Sequence, residues 1–255
     1  MEILGYIVIT VLAIAVSPVL KGLVNKFVAE DEMEEQELNN KDNVNKKGNN
    51  KKDKNKEVSS KSKVKFVPEF DWKITAVTVL AEVILFINFG ITWQFFVYAF
   101  LMLLLIMCMF ADIKGCIIPN ELNFVGFIVG IILAFAQMSN NVKSGIDALG
   151  GMLVGFFIFL AIAGLSVLIF KREGMGGGDI KLMGVIGLYV GFFNNIQVFI
   201  LSFFIAAIIS TILLITKKKK SDDYIPFGPF IVLATYITIL FPASVTMPAL
   251  LQLMN

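Results

Sequence analysis

The sequence predicts an all-α polytopic membrane protein, with about eight transmembrane helices and one polar cytoplasmic insert. Three observations carry that prediction. The 255-residue chain is 57% hydrophobic and only 16% charged, with 24 Phe, and its mean hydropathy is +0.79. Apolar runs long enough to cross a hydrocarbon core of about 30 Å recur along it. The lysines and arginines cluster between alternate runs, as the positive-inside rule requires of cytoplasmic loops. A formal net charge of +2 says little by itself; no nucleic-acid partner is expected, and the partner the composition implies is the lipid bilayer.

The runs occupy about residues 3–24, 73–91, 93–111, 122–138, 147–170, 181–193, 196–216 and 227–251. Residues 1–24 read as a retained first transmembrane helix, because Glu2 stands where a signal peptide would carry a basic region. Residues 25–72 form the insert, acidic from Glu30 to Glu35 and then rich in Lys, Asn and Ser. It holds too few apolar residues for a core and is expected to be a largely disordered, solvated tether. Residues 73–255 form a multi-helix membrane domain that carries every candidate catalytic residue.

With the insert on the cytoplasmic side, eight crossings return Lys114, Lys171, Arg172, Lys181 and the run Lys217 to Lys220 to that side. Of the 22 Lys and Arg, only Lys143 falls outside. Both termini then face outward. The segment 181–193 supplies 13 positions, about 20 Å of helix against a core of about 30 Å. A re-entrant hairpin would explain that length but would move the four-lysine run outside. A short crossing that starts below the membrane surface is therefore expected, its preceding glycine loop lining a wet, protein-walled cavity.

Histidine is absent, which removes Ser–His and Cys–His catalysis and the commonest metal ligand. Two cysteines, Cys108 and Cys116, cannot build a structural zinc site, and Cys108, inside an apolar run, reads as a buried free thiol. No metal and no cofactor is expected. The ionisable residues in or beside the spans are Glu82, Asp112, Glu121, Asp147, Glu173 and Asp179. Asp112 and Asp179 fall at cytoplasmic ends of spans, in the matching settings Asp112-Ile113-Lys114 and Asp179-Ile180-Lys181. Two carboxylates about one water are the minimal aspartic-protease device: the ionised acid takes a proton from the water, and its protonated partner polarises the scissile carbonyl.

The competing reading pairs each aspartate with the lysine two residues on, and for Asp112 alone it stays open. For Asp179, the run Gly176, Gly177 and Gly178 weighs against it, since glycines permit unusual backbone conformations and the close approach of a second chain. Helix dipoles suggest Asp179, opening a helix, as the initial base and Asp112, closing one, as the acid. Glu82 is expected to pair with a polar group on a neighbouring helix, and Asp147 with Lys143 on the outer side. Glu121 and Glu173 are placed to tune the site or to meet basic residues of a substrate.

The stretch Gly174 to Gly191, GMGGGDIKLMGVIGLYVG, has the core Gly176-Gly177-Gly178-Asp179. It resembles the second aspartate motif of the prepilin peptidases (type IV leader peptidases), which are GxGD membrane aspartic proteases. The run from Asp112 through Ile118-Pro119-Asn120 resembles that family's first motif, an Asp followed by a short loop to Ile-Pro-Asn. Ile225-Pro226-Phe227-Gly228-Pro229-Phe230 resembles its cytoplasmic Pro-Phe-Gly-Pro stretch. The likeness covers about residues 73–250. It implies Asp112 and Asp179 as the catalytic pair, with Gly176, Gly177, Gly178, Lys114, Lys181, Pro119, Asn120, Pro226 and Gly228 as motif and supporting residues. The implied substrate is a prepilin-like membrane protein, cut at the cytoplasmic face of the cell membrane between a short basic leader and the hydrophobic helix that follows.

Bacterial members carry a cysteine-rich, metal-binding region in the first cytoplasmic loop, whereas this insert has no cysteine. Their methylation of the new N-terminus is therefore not implied, and a single-function enzyme like the archaeal prepilin peptidases fits better. Two alternatives stay open. Preflagellin (archaellin) peptidases share the chemistry but place the first aspartate in the first helix, and here two spans precede the one ending at Asp112. A transporter using Asp112 and Asp179 as an ion or proton relay is a different class, although the eight segments show no inverted repeat.

Overall fold

The computed structural model describes residues 2–46, 71–171, 175–217 and 225–246. They form eight helices: α1 (Glu2–Lys46), α2 (Trp72–Phe89), α3 (Trp93–Gly115), α4 (Asn120–Asn140), α5 (Val142–Phe170), α6 (Gly177–Val190), α7 (Phe192–Ile215) and α8 (Gly228–Leu240). Six are long and apolar enough to cross a membrane, while α6 and α8, of 14 and 13 residues, are shorter. Every regular element among the described residues is a helix, and the chain is a polytopic membrane protein. Its eight apolar segments become six helices of membrane-crossing length and two short ones.

Local chemistry sets the joints. Asp71, Thr92 and Asn141 lie in extended conformations and cap α2, α3 and α5, accepting the N–H groups of Lys73, Phe95 and Lys143. Gly90 and Gly191, with φ of 60° and 83°, turn the chain sharply after α2 and α6. Such short joints make α2 to α7 an up-and-down bundle. Lys114, Lys171, Lys181 and Lys217 thus lie at one end of it and Lys143 at the other. Lys218 to Lys220 and Arg172 lie outside the described residues.

Two expectations are corrected. The first helix does not stop at residue 24; it runs 45 residues, to Lys46, about 68 Å at 1.5 Å per residue. Residues 25–46 of the insert are therefore helical. Their Glu, Gln, Met, Leu and Lys are good helix formers, and neither Gly nor Pro interrupts residues 23–47. The expected disorder of residues 47–70 lies outside the described residues. The last segment, expected over 227–251, breaks early: α8 ends at Leu240, because Pro242 disfavours a helical Phe241, which sits at φ −128°, ψ 77°. Residues 247–251 lie outside the described residues.

The short α6 is explained by its position. From Asp179 to Val190 every residue except Lys181 is buried, so the helix meets other helices and not lipid, and bilayer thickness places no demand on its length. Small residues let α5 lie directly on it: a Cβ at Gly187 would come within 2.2 Å of the Gly151 carbonyl oxygen, and one at Gly155 within 2.5 Å of that of Met183. The fully buried Asn195 of α7 pins the seam, its Nδ2 donating to the carbonyls of Gly151 (2.8 Å) and Met183 (3.2 Å).

Asp147, expected to pair with Lys143, accepts the N–H of Phe192 instead (3.2 Å) and sits against Gly191. An ordered cap on α7 takes precedence over an exposed ion pair of small worth. Glu82, expected to pair across helices, is 5% exposed, and its Oε1 has no hydrogen-bond partner among the described residues. Cys108 is the expected buried free thiol.

Candidate active site

The contacts of Gly155, Gly151 and Asp147 with Met183, Gly187 and Gly191 fix an antiparallel register that sets Phe159 level with Asp179. Beyond that level α5 continues through residues 160–170, about 16 Å, with Leu165, Val167, Leu168 and Ile169 exposed. On the α5 side, then, lipid-facing wall rises well past Asp179. The short helix starts below the end of its neighbour α5.

Asp112 lies in the last turn of α3 and Asp179 in the first turn of α6, 3% and 5% exposed. They share one site. The charge on Asp112 acts on Asp179, and the buried Cys108, one turn before Asp112, is within electrostatic reach of both. The chain leaves α3 through Cys116, whose φ of 54° closes the helix with its N–H donating to the Asp112 carbonyl (2.8 Å). Pro119 then sets the start of α4.

That turn binds the two aspartate motifs together. Asn123 Nδ2 donates to the Gly178 carbonyl (3.3 Å), and Lys181 Nζ to Asn120 Oδ1 (2.6 Å). A Cβ at Gly178 would lie 2.8 Å from Ile118 Cβ, so only glycine permits this approach. On the opposite side the Gly228 N–H, at the start of α8, donates to Asp112 Oδ2 (2.7 Å). Pro226 leads into that turn. Phe227 anchors it among Phe159, Phe203 and Phe230, with ring centres 5.1 to 6.1 Å apart. Pro229 occupies the first turn of α8, where its missing N–H costs nothing.

Several sequence expectations change here. Neither lysine pairs with its aspartate, since Lys114 Nζ donates to Asn25 Oδ1 and Lys181 to Asn120. The glycine run adopts no left-handed backbone: Gly176 has φ −69° and ψ 141°, and Gly177 and Gly178 are helical. Its value is space, because nothing stands within 4 Å of a Cβ placed at Gly177. The dipole asymmetry expected between the aspartates is also lost. Asp112 closes α3 but meets the N-terminus of α8 through Gly228, so each carboxylate faces a helix N-terminus and the dipoles assign neither as the acid. Glu121 is exposed at the start of α4 beside the site, whereas Glu173 and Gly174 lie outside the described residues.

Sequence reading missed Asn123, Ile118 and the packing role of Phe227. Asn123 carried a signal: it is an amide one turn into an apolar run, where an unpaired polar group is costly. It is 4% exposed, and its Oδ1 and Asp179 Oδ1 are both buried without a hydrogen-bond partner among the described residues.

Fold and site together define a polytopic membrane protein with a buried two-aspartate centre at one end of its helical bundle. The Type IV leader peptidase family pattern matches residues 99–211, which span both aspartates. Over that stretch the chain is similar to members of the Type IV leader peptidase family. It is 28% identical over 163 residues to a prepilin leader peptidase/N-methyltransferase of Stutzerimonas stutzeri, covering 62% of this chain and 54% of that one. Against proteins of the same name it is 26% identical over 173 residues in Aeromonas salmonicida (68% and 58% covered) and 30% over 161 residues in Bacillus subtilis (62% and 61% covered). The matches thus span between half and two thirds of those relatives' lengths. No solved structure matches the chain.

Proposed function

We propose that the chain is a membrane aspartic endopeptidase that removes the leader from prepilin-like precursors, with Asp112 and Asp179 as its catalytic pair. The observation that carries this reading is the convergence of two buried, mutually interacting carboxylates at one end of the bundle, held by three sequence motifs that contact one another. One ionised carboxylate removes a proton from a water molecule, whose oxygen attacks the scissile carbonyl carbon. The protonated partner gives its proton to the carbonyl oxygen. Collapse of the tetrahedral intermediate breaks the C–N bond, and the proton taken from water goes to the departing amine.

The cell membrane, with the site at its cytoplasmic face, is the setting supported by the shared end of Lys114, Lys171, Lys181, Lys217 and the two carboxylates. The methyltransferase activity in the relatives' names is not part of the proposal, and the insert has no cysteine. The transporter reading has no support from the family match, and the archaellin reading needs no different chemistry. The test is co-expression with a prepilin, followed by gel shift. Asp112→Asn and Asp179→Asn are each expected to leave the precursor uncut, and normal processing by either variant refutes the assignment.

A further inference from the structure

A groove of about 740 Å³ runs between α4, α5 and α6, starting at Asn120 and Glu121 and reaching Phe127, Met152 and Val185. Its rim is open to the lipid side, where Phe124, Phe127, Leu153 and Phe157 are 41 to 64% exposed. From Asn120 to Phe127 it covers about 10 Å, two turns of helix. Its upper end abuts the catalytic level, because Lys181 lies half a turn after Asp179 and Asn123 holds the Gly178 carbonyl. Asn123 also lines the groove, with an Oδ1 that is buried and accepts nothing. A buried amide oxygen left so is unfavourable unless a donor arrives. An apolar trough with one convergent acceptor suits an apolar chain that carries a backbone N–H past that point.

Resting on the peptidase reading above, we propose that this groove berths the first two turns of the substrate's apolar helix, and that Asn123 Oδ1 accepts a backbone N–H of the substrate beside the scissile bond. The direction fits. A leader left at the lysine-rich end, with its helix running down the groove toward Val185, places the junction between them at Asp179. Gly177, bare of neighbours, leaves room for the extended chain to pass. Glu121 at the mouth offers a carboxylate to a basic leader. Asn123 is a positioning residue, holding the substrate while the two aspartates act.

The test uses the full chain in phosphatidylethanolamine–phosphatidylglycerol vesicles. Asp179→Asn keeps a prepilin uncut, and a photoreactive residue replaces Phe127, Leu153 or, as reference on α7, Ile208. Adducts with the precursor from Phe127 and Leu153 are expected to exceed those from Ile208 about tenfold, the factor given by 1.4 kcal/mol of preference. Equal yields, or adducts with lipid alone, overturn the groove assignment. With both aspartates intact, Asn123→Ala is expected to raise KM about tenfold, the value of one hydrogen bond, in addition to any fall in kcat from the lost bond to the Gly178 carbonyl. A fall in kcat at constant KM would make Asn123 only a support for Gly178 and overturn its role. If the unsubstituted chain fails to cut the prepilin, the peptidase reading falls; if it cuts but Phe127 and Leu153 label no better than Ile208, only the groove falls.

Discussion

Gly228→Ala puts the least possible matter, one methyl group, against Asp112, one of the two carboxylates proposed as catalytic. The new Cβ would lie 2.7 Å from Asp112 Oδ2 and 3.2 Å from both Asp112 Cβ and Cγ. The carboxylate must move, and the 2.7 Å bond it accepts from the Gly228 N–H stretches or breaks. A hydrogen bond to a charged group is worth about 1.5–3 kcal/mol, and a catalytic group displaced by about 1 Å loses on the order of 100-fold in rate. Both figures converge near 2–3 kcal/mol, so prepilin cleavage should fall about 100-fold. Stability should change little, because alanine in the first turn of α8 recovers up to about 1 kcal/mol of backbone entropy. The assay is timed cleavage in vesicles beside thermal unfolding in detergent. Gly164→Ala serves as control, since nothing lies within 4 Å of a Cβ there, and it should cleave normally. A Gly228→Ala enzyme that cuts at the unsubstituted rate would refute the idea that the start of α8 sets the position of Asp112.

Other outcomes follow from the same contacts. Asp112→Asn and Asp179→Asn should each cut cleavage by about 10³-fold or more while leaving the helical circular dichroism intact. Asn195→Ala strips two buried carbonyls of their donor and should cost about 1–3 kcal/mol, seen as a lower unfolding temperature. Gly187→Ala drives a methyl group to 2.2 Å from a backbone oxygen with no freedom to swing away; it should cost more than about 3 kcal/mol and sharply reduce the folded protein recovered from membranes. At the start of α2, the Lys73 N–H and then Lys21 hold the Asp71 carboxyl below the ordinary range. Its contribution is therefore complete above about pH 3.9 and disappears as pH falls through the lowered value. Asp71→Ala should lower the unfolding temperature at pH 7, and the difference should shrink in strong acid.

The membrane class was legible because apolar runs and lysine placement are properties of the chain alone. The two aspartates stood out as candidates because carboxylates are rare in such a sequence, and Asp179 follows three glycines. What escaped was whatever depended on a neighbour distant in sequence. The glycine run looked like a conformational device, and only the approach of Ile118 to Gly178 reveals it as a packing one. The dipole argument for Asp112 failed because α8, more than a hundred residues later, brings a second helix end to the same carboxylate. Asn123 was passed over as an isolated amide in an apolar run, its purpose visible only against Gly178. The extent of α1 was misjudged for another reason: a polar, charged composition marks disorder only where helix-forming residues are scarce, and residues 25–46 are rich in them.

Because α6 is walled off from lipid along nearly its whole length, Asp179 takes its depth from protein neighbours and not from the membrane. A thicker or thinner bilayer can tilt the six long helices at a modest cost per ångström, while the seam of Gly151, Gly155 and Gly187 moves α6 with α5 as one piece. The helix of the proposed substrate, by contrast, would find its own depth in the lipid. Bilayer thickness should therefore shift where a precursor presents its junction, and leave the spacing of the two carboxylates as it was.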